Sequence, residues 1–211
     1  VREPDAPDRP REAVGRRVFG NPDEAFLQSK PKHGLMTPAE VRALALAQLD
    51  VAPSSIVWDV GAGSGSVSIE AAQLATDGTV YAVEMDAEDH ALIGENADRF
   101  GVANVVAVLG KAPDAWQALP DPDAVFIAGS GREVTRIAES AYQRLRSGGR
   151  LVVNVVSIDN LAELRQLFLQ PSDSQHQPLV WMINVARGTD QLERLTFEPL
   201  RPSFLLAVTK P

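Results

Sequence analysis

The sequence predicts an α/β fold with a mostly parallel, Rossmann-like sheet of seven strands and an antiparallel closing hairpin. From residue 56 to residue 169, short apolar runs alternate with segments of helical pattern. Such alternation indicates a parallel sheet with helices on both faces. The last two apolar runs have no convincing helix between them, and strands joined in this way pair antiparallel. A glycine-rich turn follows the first run.

Each element rests on a local signal. Thr37-Pro38-Ala39-Glu40 has the pattern of a capping box, which predicts a helix from Thr37 as N-cap to about Leu49. Asp86 is expected to cap a helix that ends at Gly101. The expected strands are 56–60, 79–84, 104–110, 123–129, 150–156, 179–186 and 203–210, and the other expected helices are 66–75, 113–119, a helix ending near 146, and 158–169. Residues 187–202 are expected to form a short strand or an excursion.

Composition limits the class of protein. Residues 1–20 are rich in proline and charge and predict a linker or disordered arm, so the domain is expected to span residues 21–211. The net charge of −8 argues against nonspecific nucleic-acid binding. The chain has no cysteine, its three histidines lack metal-ligand spacing, and no run approaches the about 20 apolar residues of a membrane span. We expect a cytoplasmic protein without metal, membrane or nucleic-acid partner.

The stretch "VWDVGAGSGSVSIE" holds the strongest functional signal. Its loop reads G-x-G-x-G, with the third glycine one place earlier than in the dinucleotide pattern G-x-G-x-x-G. Asp59 ends the preceding strand, and Glu84 ends the next one, where an acid can accept both ribose hydroxyls. The candidate cofactor-binding residues in this region are Asp59, Gly61, Ala62, Gly63, Ser64, Gly65 and Glu84.

The acid before the loop separates two candidate ligands. A dinucleotide brings a pyrophosphate, for which Asp59 would be an awkward neighbour. S-adenosylmethionine brings an ammonium, which suits Asp59, and a carboxylate, which suits the amides at a helix start. Together with the antiparallel hairpin, this favours the class I S-adenosylmethionine-dependent methyltransferase fold. A dinucleotide site, or a tight turn without a ligand, is the alternative.

Several further motifs carry a closer resemblance. The order "NPDEAF", "VWDVGAGSGSVSIEAA", "YAVE", "PDAVFIAGSG", "SGGRLVVN" and "INVARG" resembles the decarboxylating precorrin-6 methyltransferases of corrin-ring (cobalamin) biosynthesis, from about Gly20 to Pro211. The resemblance implies methylation of C15 of a tetrapyrrole and loss of CO2 from its C12 acetate. Some members of this family are fused behind a C5-methyltransferase domain, and we expect this chain to be such a C-terminal domain. The resemblance also implies a homo-oligomer, a tetramer as in its relatives.

The resemblance implies further cofactor contacts at Thr37 and Ala112. Thr37 would then also serve as the helix cap, and a capping role alone is the alternative. Many relatives carry an acid where this chain has Lys111. A lysine cannot accept from the adenine amino group, so we expect backbone groups, Asp114 or shape to hold the adenine.

A ring bearing many carboxylates needs cations and backbone donors. The candidate substrate residues are Lys30, Lys32, Gly129, Ser130, Gly131, Arg132 and Arg187. His33 is a candidate for moving a proton, although a lone loop histidine is more often polar surface. Arg187 could instead only shape the hairpin, and the basic residues before Thr37 could be a solvated loop.

Two other functions stay open on the sequence. One is a methyltransferase that acts on RNA or protein, against which the acidic composition argues. The other is a domain that binds the cofactor and serves only as an interaction module, against which the intact glycine loop and Glu84 argue. Because the electron-rich ring supplies its own nucleophilic carbon, we expect few or no indispensable acid–base residues.

Overall fold

The computed structural model describes residues 17–29, 36–129, 131–169, 177–191 and 194–211. Its helices are α1 (Ala39–Leu49), α2 (Ser66–Leu74), α3 (Ala87–Phe100), α4 (Val134–Arg144) and α5 (Ile158–Phe168). Its strands are β1 (Ile56–Val60), β2 (Thr79–Glu84), β3 (Val105–Leu109), β4 (Ala124–Ile127), β5 (Arg150–Val155), β6 (Leu179–Ile183), β7 (Ala186–Gln191), β8 (Arg194–Pro199) and β9 (Ser203–Thr209). Single 3-10 turns occur at Asp23–Ala25, Asp114–Trp116 and Gly131–Glu133.

The predicted sheet is confirmed. Seven strands lie in the order β3-β2-β1-β4-β5-β9-β6. The first five in the chain pair parallel, and β9 pairs antiparallel with both β5 and β6. The carboxyl ends of β1, β2 and β4 therefore meet at one edge of the sheet, where α/β folds bind ligands.

The segment between the two closing strands is an excursion from the main sheet. Strands β7 and β8 form a separate antiparallel hairpin, in which Gly188 pairs with Phe197. Strand β6 runs parallel to β5 and ends at Ile183, so this hairpin leaves the sheet at the ligand-binding edge. The segment 187–202 was expected to form a short strand or an excursion, and the structure has both, because the excursion is built from two strands.

The predicted helix caps give a mixed outcome. Asp86 accepts hydrogen bonds from the Glu88 and Asp89 amides, and Gly101 ends α3 at φ 69°, both as expected. The capping box at Thr37 is wrong. The amide of Arg42 donates to the Pro38 carbonyl, so Pro38 is the N-cap, and Thr37 lies one residue too early to cap. The expected helix at 113–119 is only the 3-10 turn.

The core lies on both faces of the sheet. On one face, Trp58 stacks on Trp116 with ring centroids 5.2 Å apart, beneath α4 and α5. On the other face, Val57, Phe126 and Leu205 pack against α1 and α2. This double-sided burial explains why β1 and β4 read as nearly continuous apolar runs.

Two predictions about the rest of the chain stay predictions. In the described part of the chain, no helix is long and apolar enough to cross a membrane; the cytoplasmic location is untested. The boundary near residue 20 is also untested, because residues 1–16 lie outside the described residues.

Candidate functional site

Neighbouring elements require glycine at two positions of the loop after β1. Gly61 has φ +73°, and an added Cβ would lie 2.0 Å from the carbonyl oxygen of Ala128. Gly65 has φ +86°, and its Cβ would lie 3.3 Å from two side-chain carbons of Ile93 on α3. Both conformations disfavour side chains other than glycine. The early third glycine therefore reflects the close packing of this loop against α3.

The loop is braced by the end of β2. The amides of Gly61 and Ala62 donate to the carbonyl oxygen of Val83 at 2.9 and 3.1 Å. The amide of Gly63 donates to Oε2 of Glu84 at 2.8 Å. These three amides therefore fix the loop against β2.

Backbone hydrogen bonds orient the carboxylate of Glu84. Its Oε1 accepts from the amides of Met85 and Asp86, both at 2.8 Å, in addition to the bond from Gly63. The residue is 8% exposed and stands at the carboxyl end of β2. Two carboxylate oxygens offer about four acceptor sites. Glu84 therefore keeps capacity for a ligand hydroxyl in a fixed orientation.

The carboxylate of Asp59 is buried and only half satisfied. Its Oδ2 accepts from the hydroxyl of Ser68, whereas Oδ1 has no hydrogen-bond partner among the described residues. Burial, with a smaller contribution from the charge of Glu84, raises the pKa of Asp59 to about 7, against the opposing effect of the Ser68 hydrogen bonds. A cation at Oδ1 would stabilise the ionised form.

A cavity opens between these groups and the N-terminal segment. It holds about 580 Å³ of empty space, including its open mouth. The lining residues are Gln28, Ser29, Met36, Thr37, Asp59, Gly61, Ala62, Gly63, Ser64, Ser66, Val67, Asp89, Phe126, Ala128 and Gly129. The structure thus brings together Thr37, Asp59, most of the glycine loop and Gly129, which the sequence proposed separately.

Other predicted site residues lie elsewhere. Ala112 is buried beyond the end of β3 and does not line this cavity. Gly131 and Arg132 are exposed in the 3-10 turn that precedes α4. The predicted residues Lys30, Lys32, His33 and Ser130 lie outside the described residues.

The lysine that departs from the family pattern has a partner. The ammonium of Lys111 lies 3.0 Å from Oε2 of Glu133, which belongs to the turn after β4. The hydrogen bond from Lys111 lowers the pKa of Glu133. The pair therefore links the segment after β3 with the segment after β4.

The guanidinium of Arg187 is already held by two carboxylates. Its Nε and Nη2 donate to the two oxygens of Glu40 at 2.9 and 2.7 Å, and Nη2 also donates to Asp23 at 2.7 Å. These bonds raise the pKa of Arg187 and lower that of Glu40. Arg187 thus fastens the β7–β8 hairpin to the start of α1, and a substrate carboxylate would have to compete with both acids.

The sequence reasoning missed a buried ion pair behind the cavity. Arg42 on α1 and Glu70 on α2 are both fully buried, with Nε 3.1 Å from Oε2. Arg42 also donates to the carbonyl oxygen of Thr37 at 2.7 Å. Glu70 accepts from the amides of Gly20 and Asn21 at 3.0 and 2.7 Å. The available signal was a single charged residue, Glu70, in the otherwise uncharged helix segment "SVSIEAAQL".

Comparisons of the chain with family models, with known proteins and with solved structures all indicate the same family. A family model described as "Precorrin methyltransferase domain" matches residues 30–210. A "Precorrin-6Y C(5,15)-methyltransferase [decarboxylating]" from Sinorhizobium sp is 45% identical over 133 residues, which are 62% of this chain and 32% of that protein. The chain thus matches about a third of that relative's length.

Two further proteins match nearly the whole chain. A "Probable cobalt-precorrin-6B C(15)-methyltransferase (decarboxylating)" from Pyrobaculum calidifontis is 38% identical over 190 residues, 89% of this chain and 94% of the relative. The crystal structure of a precorrin-6Y C5,15-methyltransferase from Geobacter metallireducens superposes with a TM-score of 0.82 at 35% identity, covering 92% of this chain and all of the other. The fold, the glycine loop with its two acids and these matches agree: the chain belongs to the precorrin methyltransferase family.

Proposed function

We propose that this protein methylates C15 of a precorrin-6B-type ring with S-adenosylmethionine as donor and removes CO2 from the C12 acetate. The observation that supports the donor best is the buried Oδ1 of Asp59 beside the cavity, which has no hydrogen-bond partner among the residues that the structure describes. An ammonium group would satisfy this oxygen, and S-adenosylmethionine carries one. The relatives named C15-methyltransferases support the ring and the reaction.

The residues of the cavity fit this cofactor. Asp59 would hold the ammonium, and Gly63, where an added Cβ would face open space, leaves room for close approach of the ligand. Glu84 is not among the residues that line the cavity, but its carboxylate accepts from the amide of the lining residue Gly63 and would hold a ribose hydroxyl. Thr37 lines the same cavity. Ala112 is retained as an adenine contact on resemblance alone. When bound, S-adenosylmethionine supplies an electrophilic methyl group.

The task of the protein is then to align the ring carbon with the donor and to exclude water. Gly129 lines the cavity, and Gly131 and Arg132 follow at the carboxyl end of β4, where they can receive the edge of a flat ring. Arg132 is exposed and suited to a substrate carboxylate. Lys30, Lys32, His33 and Ser130 remain candidates by sequence, and Arg187 can contribute only by leaving Glu40 and Asp23.

We also propose that the protein works as a homo-oligomer, a tetramer by resemblance. Large apolar side chains are exposed on β6, at the sheet edge, and on β8: Leu179, Met182, Leu195 and Phe197 are 51–66% exposed. A second copy of the chain would bury them. Light scattering that finds only a monomer at micromolar concentration would contradict this proposal.

A fused partner domain is the last part of the proposal. The Sinorhizobium relative is named for methylation at both C5 and C15, and this chain matches 32% of it. A C5-methyltransferase domain in the parent chain would account for the difference. Immunoblotting of the source organism with an antibody against this domain would detect the larger protein if the proposal is right.

One assay tests the central function. The protein is mixed with labelled S-adenosylmethionine and a precorrin-6B-type ring, and the ring mass is followed. We expect a gain of one methyl group and loss of CO2. Cofactor binding without turnover of the ring would contradict the substrate, and an absence of cofactor binding in calorimetry would contradict the function altogether.

A variant pair tests the ribose contact. Glu84→Ala should weaken binding of S-adenosylmethionine by about 1–3 kcal/mol, the usual cost of unpaired polar groups. Glu88→Ala is the matched control, because Glu88 is an exposed glutamate near the start of α3. Equal affinities of the two variants would show that Glu84 does not hold the ribose.

A further inference from the structure

One wall of the cavity is a segment without long regular structure, residues 21–29, which we call the N-terminal strap. Its Gln28 and Ser29 line the cavity opposite the glycine loop. Phe26 is buried and stacks on Phe100 of α3, with ring centroids 4.5 Å apart. A short loop-like segment needs such contacts, because it has no internal ladder of hydrogen bonds to hold its shape. The position of the strap therefore depends on its contacts with side chains of α3.

Asn96 on α3 joins the two walls of the cavity directly. Its Oδ1 accepts from the amide of Leu27 at 2.8 Å, and its Nδ2 donates to the carbonyl oxygen of Leu27 at 3.1 Å. The same Nδ2 donates to the carbonyl oxygen of Ser64 in the glycine loop at 2.8 Å. The residue is fully buried. This pattern requires an acceptor and two donors on one short planar group, which is the chemistry of an asparagine amide.

Two neighbours on the same face of α3 support this connection. Asp89 accepts from the hydroxyl of Ser29 at 2.5 Å. Ile93 lies against Gly65 in the loop. Residues 89, 93 and 96 have the i, i+4, i+7 spacing of one helix face. This face of α3 therefore contacts the strap at two points and the loop at two points.

We propose that Asn96 is a positioning residue for the cofactor site: it sets the separation between the strap and the glycine loop. The inference rests on the proposed use of this cavity for S-adenosylmethionine. Asn96 itself does not line the cavity, so it acts through the backbone of Leu27 and Ser64. Loss of its donor group would let the two walls move apart and weaken cofactor binding.

The chain offers a matched control at the opposite edge of the sheet. The Nδ2 of Asn104 donates to the carbonyl oxygens of Ala72, Ala75 and Gly78 at 3.1, 2.6 and 3.4 Å. This group precedes β3, at the amino end of the parallel strands and away from the cavity. Asn96→Asp and Asn104→Asp make the same chemical change, in which a donor to backbone carbonyls becomes an acceptor.

Calorimetry with S-adenosylmethionine compares wild type, Asn96→Asp and Asn104→Asp, each checked as folded by urea titration. We expect Asn96→Asp to bind at least ten-fold more weakly than wild type, and Asn104→Asp to bind within about two-fold of it. In turnover, the KM for the cofactor should rise in Asn96→Asp with kcat changed less. Affinities that fall equally in both variants would show a role in stability only and overturn the inference.

Native-state hydrogen exchange on the empty protein gives a second readout. The amide of Leu27 should exchange faster in Asn96→Asp and unchanged in Asn104→Asp, and unchanged exchange in both overturns the inference. If Asn96→Asp does not fold, Asn96→Ser is used in the same comparison. Wild type that fails to bind the cofactor overturns the proposed function and this role together, whereas equal binding by wild type and Asn96→Asp overturns only the role of Asn96.

Discussion

Replacement of Asp59 by asparagine separates the charge of this residue from its shape. The side chain is 1% exposed, and its Oδ1 has no hydrogen-bond partner within the described ranges. Asparagine has nearly the same size and can still accept from the hydroxyl of Ser68, but it carries no charge. We expect Asp59→Asn to bind S-adenosylmethionine poorly and yet to be more stable than wild type at alkaline pH.

The size of the stability effect follows from the pKa. Burial raises the pKa of Asp59 from 3.8 to about 7 in the empty protein. The folded protein therefore holds this proton more tightly than the unfolded chain does. Ionisation of Asp59 destabilises the folded state progressively as pH rises from 3.8 to about 7, and the penalty is constant above that range. A difference of about 3 pKa units corresponds to about 4 kcal/mol.

Urea unfolding at pH 5 and pH 8, without cofactor, measures this effect. The free energy of unfolding of Asp59→Asn minus that of wild type should be about 3 kcal/mol larger at pH 8 than at pH 5. The same difference at both pH values would refute the reasoning. Ser68→Ala is the control, because it keeps the carboxylate of Asp59 and removes a hydrogen bond that lowers the pKa of this residue. The free energy of unfolding of this variant should therefore still fall between pH 5 and pH 8.

Two further predictions concern the loop and the hairpin. Gly61→Ala should lower the free energy of unfolding by about 3 kcal/mol or more, because the new methyl group would meet the backbone carbonyl of Ala128. Gly63→Ala should lower it by only about 1 kcal/mol, because the methyl group faces open space and only the φ of +55° is unfavourable. Equal losses in urea titrations of the two variants would contradict this reasoning. Arg187→Met should raise the pKa of Glu40 toward its usual value, measured by NMR titration, and cost about 1 kcal/mol or less because the ion pair is partly exposed. An unchanged pKa of Glu40 in this variant would mean that the ion pair between Arg187 and Glu40 does not form in solution.

The sheet and its ligand edge were predictable because their signals are local. Alternation of apolar runs with helix patterns indicates a parallel sheet, and every parallel strand ends at the same edge. Asp59 is the last residue but one of β1 and Glu84 ends β2, so their positions in the sequence also place them at the ligand edge. The antiparallel pairing of β6 with β9 was predictable because no helix pattern lies between these two apolar runs.

The contacts that the sequence did not reveal join residues far apart in the chain. Arg187 lies 147 residues from Glu40, and Asn96 lies 69 residues from Leu27. No local sequence pattern distinguishes an arginine that forms an ion pair within the protein from one that binds a substrate. The wrong prediction of Thr37 as N-cap has another source. A capping box indicates that a helix begins nearby, but it does not determine the first helical residue. The ψ of 150° at Pro38 is not helical, so the helix begins at Ala39.

The glycine spacing and the nature of the ligand are separate questions in this structure. Gly61 and Gly65 are explained by a carbonyl oxygen of Ala128 and by Ile93, which are parts of the protein. The choice of ligand depends instead on Asp59. An anion such as a pyrophosphate beside this buried acid would raise its pKa further and favour the neutral form, whereas an ammonium would lower the pKa and bind the carboxylate. Asp59, one residue before the end of β1, therefore argues for a cationic ligand group, independently of where the third glycine falls.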